Sequence, residues 1–233
     1  MMTSTLGKVY HKVLDVVQSP LARKRRYALH YWKRRVAKEG TFFNHHYEYF
    51  YTTHYGLDRS FYEGKRILDI GCGPRGSLEW ADMAAERVGL DPLAGSYLRL
   101  GGRHQKMTYV SAPAEDIPFA DCHFDVVCSF NSLDHVDDLD RTVNEIIRIL
   151  ARGGLFLLIT DLHDKPRIRE PQTFKWEVID KFCPPLEVLR ENRYESRRSG
   201  IYENVRSGTA YDETDSSTRN AVLSAKFIKP EGL

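Results

Sequence analysis

Arg66-Ile67-Leu68-Asp69-Ile70-Gly71-Cys72-Gly73-Pro74-Arg75-Gly76 constrains this chain more than any other stretch. Ile67, Leu68 and Ile70 form a short apolar run suited to a strand covered on both faces, and the glycines that follow end it abruptly. The strand therefore leads into a tight turn, where Gly71 and Gly73 tolerate positive φ and leave the backbone bare for a ligand. Gly71-x-Gly73-x-x-Gly76 satisfies the dinucleotide fingerprint, so an NAD(P)-dependent or flavin oxidoreductase is one reading from the outset. Asp69, two residues before the first glycine, argues for another ligand. A carboxylate at the mouth of the turn suits an ammonium or a sulfonium better than a pyrophosphate. Val88-Gly89-Leu90-Asp91 reads as a second short strand ending in an acid, at about the 20-residue spacing of a ribose-binding carboxylate.

Two further blocks extend the pattern: Ala114-Glu115-Asp116-Ile117-Pro118-Phe119 and Phe124-Asp125-Val126-Val127. With Leu68 to Gly73 and Gly89 to Asp91, they make the chain resemble a class I S-adenosylmethionine-dependent methyltransferase. The likeness is to the small-molecule kind related to the ubiquinone and sugar methyltransferases (methyltransferase type 11), and it covers roughly Lys65 to Thr160. The resemblance implies a doubly wound α/β fold with a seven-stranded Rossmann-like sheet. That sheet is mostly parallel with an antiparallel final strand, and a helical lid precedes it. It also implies S-adenosylmethionine as cofactor. The expected contacts are Asp69, Gly71, Cys72, Gly73, Asp91, Pro92 and Asn131, with Asp116 on the adenine amino group and Glu115 as its alternative.

A chain of 233 residues with 42% hydrophobic content fits one domain with decorations better than two. We divide it into a basic and aromatic extension, residues 1–62, and a methyltransferase domain, residues 63–233. A formal net charge of +2 does not by itself imply nucleic acid. Cys72, Cys122, Cys128 and Cys183 form no C-x-x-C pair, which suits reduced thiols in a cytoplasm. Lys8, Lys12 and Asp15 interrupt the apolar start, so neither a signal peptide nor a transmembrane segment is expected. Oligomeric state is not readable from these features.

The spacing predicts a short amphipathic helix over Leu6 to Val17, and a strongly basic stretch follows from Arg23 to Arg35, with Tyr27, Tyr31 and Trp32 interleaved. That stretch reads either as a surface for an anionic partner or as a solvated helix face. Residues 42–62 are rich in Tyr, Phe and His, and the resemblance implies a lid here, against the alternative of a peripheral segment packed on the sheet. A helix is expected over Ser77 to Glu86, with its N-terminus aimed at the ligand, and another from Pro92 to Leu100. Strands are expected at Met107 to Val110, Phe124 to Phe130 and Leu155 to Ile159, and a helix starts at Asp138-Leu139. Thr173 to Phe182 reads as a helix, and Leu186 to Arg193 and Asn220 to Ile228 as the last strands. Arg197 to Thr218 reads as a substrate loop or a mobile segment.

Methyl transfer from a sulfonium is an in-line displacement, so the protein must align donor and acceptor and take a proton from a hydroxyl acceptor. His135, with Asp134 or Asp137 to orient it, is the first choice of base. His163 is the second, with Asp161 beside it. The acidic and His residues are accounted for by cofactor contacts, and no metal ligand set stands out. The leading reading is methyl transfer to a hydroxyl of a small polar metabolite, saccharide or glycolipid precursor. The alternatives are an RNA or protein methyltransferase docking through the basic region, an oxidoreductase, and a non-catalytic binding module on the same fold.

Overall fold

The computed structural model describes residues 19–40, 44–101 and 104–232. The helix expected at Leu6 to Val17 lies outside them. Five parallel strands, β1 (Arg66–Ile70), β2 (Glu86–Leu90), β3 (Thr108–Val110), β4 (Phe124–Phe130) and β5 (Leu150–Leu162), are followed by β6 (Glu187–Glu195) and β7 (Ala221–Ile228). The sheet order is β3-β2-β1-β4-β5-β7-β6, with β7 antiparallel to both its neighbours. The expected doubly wound sheet with an antiparallel final strand is therefore present.

Strand alternation assigns the side chains to two cores. Leu68, Val127, Phe156 and Leu158 face one side, where they meet Val143, Ile146 and Ile149 of a helix at Leu139–Ile149. Asp138 caps that helix by accepting from the Arg141 N–H at 3.0 Å. Ile67, Val126, Cys128 and Leu157 face the other side and meet Phe50, Tyr51, Tyr55 and Tyr62. Phe50, Tyr51, Tyr55 and Tyr62 of the aromatic segment thus pack on the sheet, as the alternative expected. Each fully buried ring of this kind is worth roughly 1.5–3 kcal/mol over its exposed state. Tyr55 also donates to the Leu158 carbonyl at 2.8 Å, so its hydroxyl is not stranded in the core.

The helix expected at Ser77 to Glu86 is replaced by turns. The connection must run back beside a five-residue strand about 17 Å long, and a nine-residue helix would cover only about 13.5 Å. Side chains also claim the groups a helix would use. Arg87 Nη1 donates to the carbonyls of Leu78 and Glu79, and Glu79 Oε1 accepts from the N–H groups of Lys106 and Met107. No α-helix follows the turn after β1 among the described residues up to β2.

Five α-helices are described: α1 (Pro20–Glu39), α2 (Glu48–Tyr51), α3 (Ala94–Arg99), α4 (Leu139–Ile149) and α5 (Ile201–Ser207). The Arg197 to Thr218 segment is more ordered than expected, because α5 inserts Ile201 and Val205 into the aromatic core. Residues Trp176–Phe182 form 3-10 turns in place of an α-helix. Helix α1 has Pro20 in its first turn, Ser19 as N-cap and Gly40 as C-cap, and no buried residue. It lies across the carboxyl ends of the strands.

Candidate active site

A cavity of about 910 Å³ opens between α1 and the carboxyl edge of β1 to β5. Its floor is the turn after β1. Gly71 and Gly73 have φ of 71° and 58°, and Gly71 N–H donates to the Leu90 carbonyl at 2.7 Å. A Cβ on Gly71 would sit 2.2 Å from Ser132 Cβ, and one on Gly73 would sit 3.0 Å from the Trp32 ring. Ser132 therefore bars a side chain at Gly71, while at Gly73 the positive φ and the close indole both disfavour one.

Asp91 closes the next side. It follows β2, lines the cavity, and its carboxylate accepts from the Leu93 N–H at 2.8 Å. Burial raises its pKa to about 6, with the Leu93 and Gly73 amides and the charge of Arg25 acting against that rise. After β3, Ala112 to Glu115 line the wall, and Glu115 Oε1 accepts from the N–H groups of Asp137 and Asp138 at 2.6 and 3.1 Å. After β4, Asn131 adopts a positive φ of 56°, its N–H donates to Ile159, and Ser132 Oγ donates to the Ile70 carbonyl at 2.7 Å.

His135 lines the same cavity at the end of β4, beside Asp137 and opposite α1. Burial lowers its pKa, against the pull of Asp134 and Glu170. Asp161, at the end of β5, also lines the cavity, and burial raises its carboxyl pKa to about 7, reinforced by Asp134 and Glu170. Lys24 of α1 reaches across to the His135 carbonyl at 2.7 Å and to Asp137 at 2.6 Å.

A family model described as a methyltransferase domain matches residues 68–158, which span β1 to β5 and every loop just described. Residues 68–158 thus resemble a methyltransferase domain. Similar curated proteins include the malonyl-[acyl-carrier protein] O-methyltransferase of Enterobacter lignolyticus. It is 34% identical over 58% of this chain and 53% of its own length. The chloroplastic tocopherol O-methyltransferase of Arabidopsis thaliana is 32% identical over 51% of this chain and 37% of its own. The chain thus spans about half or less of the length of these relatives. Among solved structures, the N-methyltransferase NodS of Bradyrhizobium japonicum, in complex with S-adenosyl-L-homocysteine, has a TM-score of 0.54 at 15% identity. The match covers 77% of this chain and 85% of that one, and at this identity the likeness concerns the fold alone.

Around the cavity, the sequence-predicted residues divide. Gly71, Cys72, Gly73, Asp91, Pro92, Glu115, Asn131 and His135 all line the cavity. Asp69 does not reach the mouth of the turn. It is buried beneath it, accepting from Tyr51 Oη at 2.9 Å and from Ser77 Oγ, and burial raises its pKa to about 7. Asp116 is exposed and lies away from the cavity, so Glu115 is the acid on that wall. Asp134 and His163 are both buried behind the wall, with His163 Nε2 3.6 Å from Asp134 Oδ2.

Helix α1 supplies residues that sequence reading did not assign to the site. Lys24, Ala28, Tyr31, Trp32, Arg35 and Glu39 form one stripe at helical spacing, and all line the cavity. Trp32 meets Tyr97 edge-on at 6.4 Å, and the Arg75 guanidinium lies 5.6 Å from the Trp32 ring. That stripe was the available signal.

Proposed function

We propose that the protein transfers a methyl group from S-adenosylmethionine to a hydroxyl of a small polar metabolite, a saccharide or glycolipid precursor, held beneath α1. The observation that carries this reading is the single cavity joining the glycine turn and Asp91 to His135 and Asp161. Its volume is at the upper end of the range for small-molecule sites, enough for a nucleoside-sized donor and a second molecule. The names of the two curated relatives, both O-methyltransferases, support oxygen as the acceptor atom.

In this reading Asp91 accepts from the ribose hydroxyls, and the backbone of Gly71 to Gly73 leaves room for the amino-acid portion. Ala114 and Glu115 flank the adenine. When bound, the donor offers an electrophilic methyl on a sulfonium, displaced in line by the acceptor oxygen. His135 takes the acceptor's proton, since a neutral imidazole there faces the open part of the cavity. Lys24 of α1 turns inward to Asp137, on the wall of the cavity. Residues 63–233 are then the catalytic domain and residues 1–62 its extension, with Tyr47 to Tyr62 built into the same core.

Calorimetry tests this directly. Wild type should bind S-adenosylmethionine, and Asp91→Ala should lose about 1–3 kcal/mol of affinity, roughly ten- to a hundredfold. Affinity of the wild type should fall as pH drops through about 6, because a protonated Asp91 no longer offers a charged acceptor. Tight NAD(P) binding without S-adenosylmethionine binding would overturn the reading.

A further inference from the structure

Behind the cavity wall, Asp134, His163 and Glu170 bring one donor atom each to within 4.8 Å of one another. Two of these groups carry buried polar atoms that the protein leaves unsatisfied. Asp134 is 1% and His163 4% exposed, yet Asp134 Oδ1 and His163 Nε2 have no hydrogen-bond partner. Buried polar atoms are rarely left so, because each forgoes its hydration without compensation. His163 Nδ1 faces the Lys165 carbonyl at 2.9 Å, so this nitrogen carries the proton and donates. Nε2 is then the ring nitrogen left facing Asp134, at 3.6 Å from its Oδ2. An imidazole whose far N–H is held by a carbonyl in this way is fixed in orientation for ligation through the other nitrogen.

We propose that Asp134, His163 and Glu170 hold a divalent first-row transition-metal ion. The separations suit an ion better than a direct hydrogen bond. His163 Nε2 and Asp134 Oδ2 are 3.6 Å apart, too far to share a proton well. Two ligands each about 2.1 Å from one ion lie roughly 3.0–3.6 Å apart across bond angles of about 90–120°. His135 Nε2 approaches the other oxygen, Asp134 Oδ1, at 3.8 Å. Glu170 has Arg167 on Oε2 at 2.6 Å, which leaves Oε1, 3.7 Å from Arg169, to turn to the ion. Two carboxylates with imidazole nitrogen form a mixed N/O set that zinc, manganese or iron accepts, and the ion's charge offsets that of the acids.

Glu170 and His135 also line the cavity, so the ion would sit at its edge on the acceptor side. There it would polarise an acceptor oxygen and lower the cost of its deprotonation, a role that rests on the methyl-transfer reading above. Binding of the ion itself does not depend on that reading.

The test is calorimetric titration of the metal-stripped full chain with Zn²⁺ and, separately, Mn²⁺, alongside Asp134→Asn and His163→Gln. One equivalent should bind to wild type, and each variant should lose at least about 100-fold in affinity while S-adenosylmethionine affinity stays within threefold. Should either variant fail to fold, the wild type supplies its own readout: the ¹⁵N resonance of His163 Nε2 should move on metal addition while Nδ1 keeps its proton. No saturable binding of either ion, equal binding by the variants, or an unmoved Nε2 resonance overturns the site. Metal binding without S-adenosylmethionine binding would sink the methyl-transfer reading and leave the ion site standing; the reverse result would sink the ion site alone.

Discussion

Asp69 and Asp134 are both buried aspartates at the carboxyl side of the sheet, 3% and 1% exposed, and they are treated in opposite ways. Asp69, on β1, receives two hydroxyl donors, Tyr51 and Ser77, one from the aromatic segment and one from the loop after the glycine turn. It ties together three pieces of chain and offers nothing to a ligand. Asp134, after β4, keeps one oxygen without a partner and looks toward two imidazoles. A buried acid with its donors in place is architecture, whereas a buried acid without them marks a place where something else is to be held.

The largest expected effect tests the first half of that contrast. Burial raises the Asp69 pKa from 3.8 to about 7, so the folded chain favours the protonated form. Its contribution to stability is fully present below about pH 4 and is lost as pH rises through 7, by up to about 4 kcal/mol. Asp69→Asn cannot ionise, so chemical denaturation followed between pH 4 and 8 should show a flatter stability profile than wild type. A profile of unchanged slope would mean that Asp69 stays ionised at no cost.

Gly71→Ala should cost about 3 kcal/mol or more. The left-handed φ and the 2.2 Å approach to Ser132 Cβ each contribute, and the thermal midpoint should drop by several degrees with donor binding weakened. An unshifted midpoint would show that the turn relaxes freely. His135→Ala, on the other side, should leave S-adenosylmethionine affinity intact and lower turnover by roughly 10²-fold. Normal turnover would reduce His135 to an anchor for its loop. The smallest effect belongs to Lys24→Ala. The ion pair with the half-exposed Asp137 is worth at most about 1 kcal/mol of stability, measurable as a slight loss that added salt erases.

The parts of the site legible in sequence are those fixed by backbone geometry. Gly71 and Gly73 announce the turn, and Asp91 follows β2 at the distance the strand-turn-strand path requires. The asymmetric sheet follows from the order of apolar runs. Asp69 was misplaced although the clue was present: with a period of two it shares a face with Ile67, the face that Tyr51 and Tyr62 cover. The helix expected at Ser77 failed because Ser-Leu-Glu-Trp-Ala-Asp-Met-Ala-Ala has helical propensity but too little length, and because Glu79 and Arg87 bond across the fold. Such long-range competition leaves no local trace. The same is true of α5, whose apolar pair Ile201 and Val205 sits in a polar stretch and finds its place only against the aromatic cluster.

Helix α1 contributes no residue to either core and is fastened by side-chain contacts: Lys24 at one end, the Trp32 ring against Gly73 midway, and the Glu39 to Arg75 pair at the other. Its displacement would strip no apolar interior and so cost the body beneath little stability. The roof of the chamber is thus held by ion pairs and one indole in place of a packed interior.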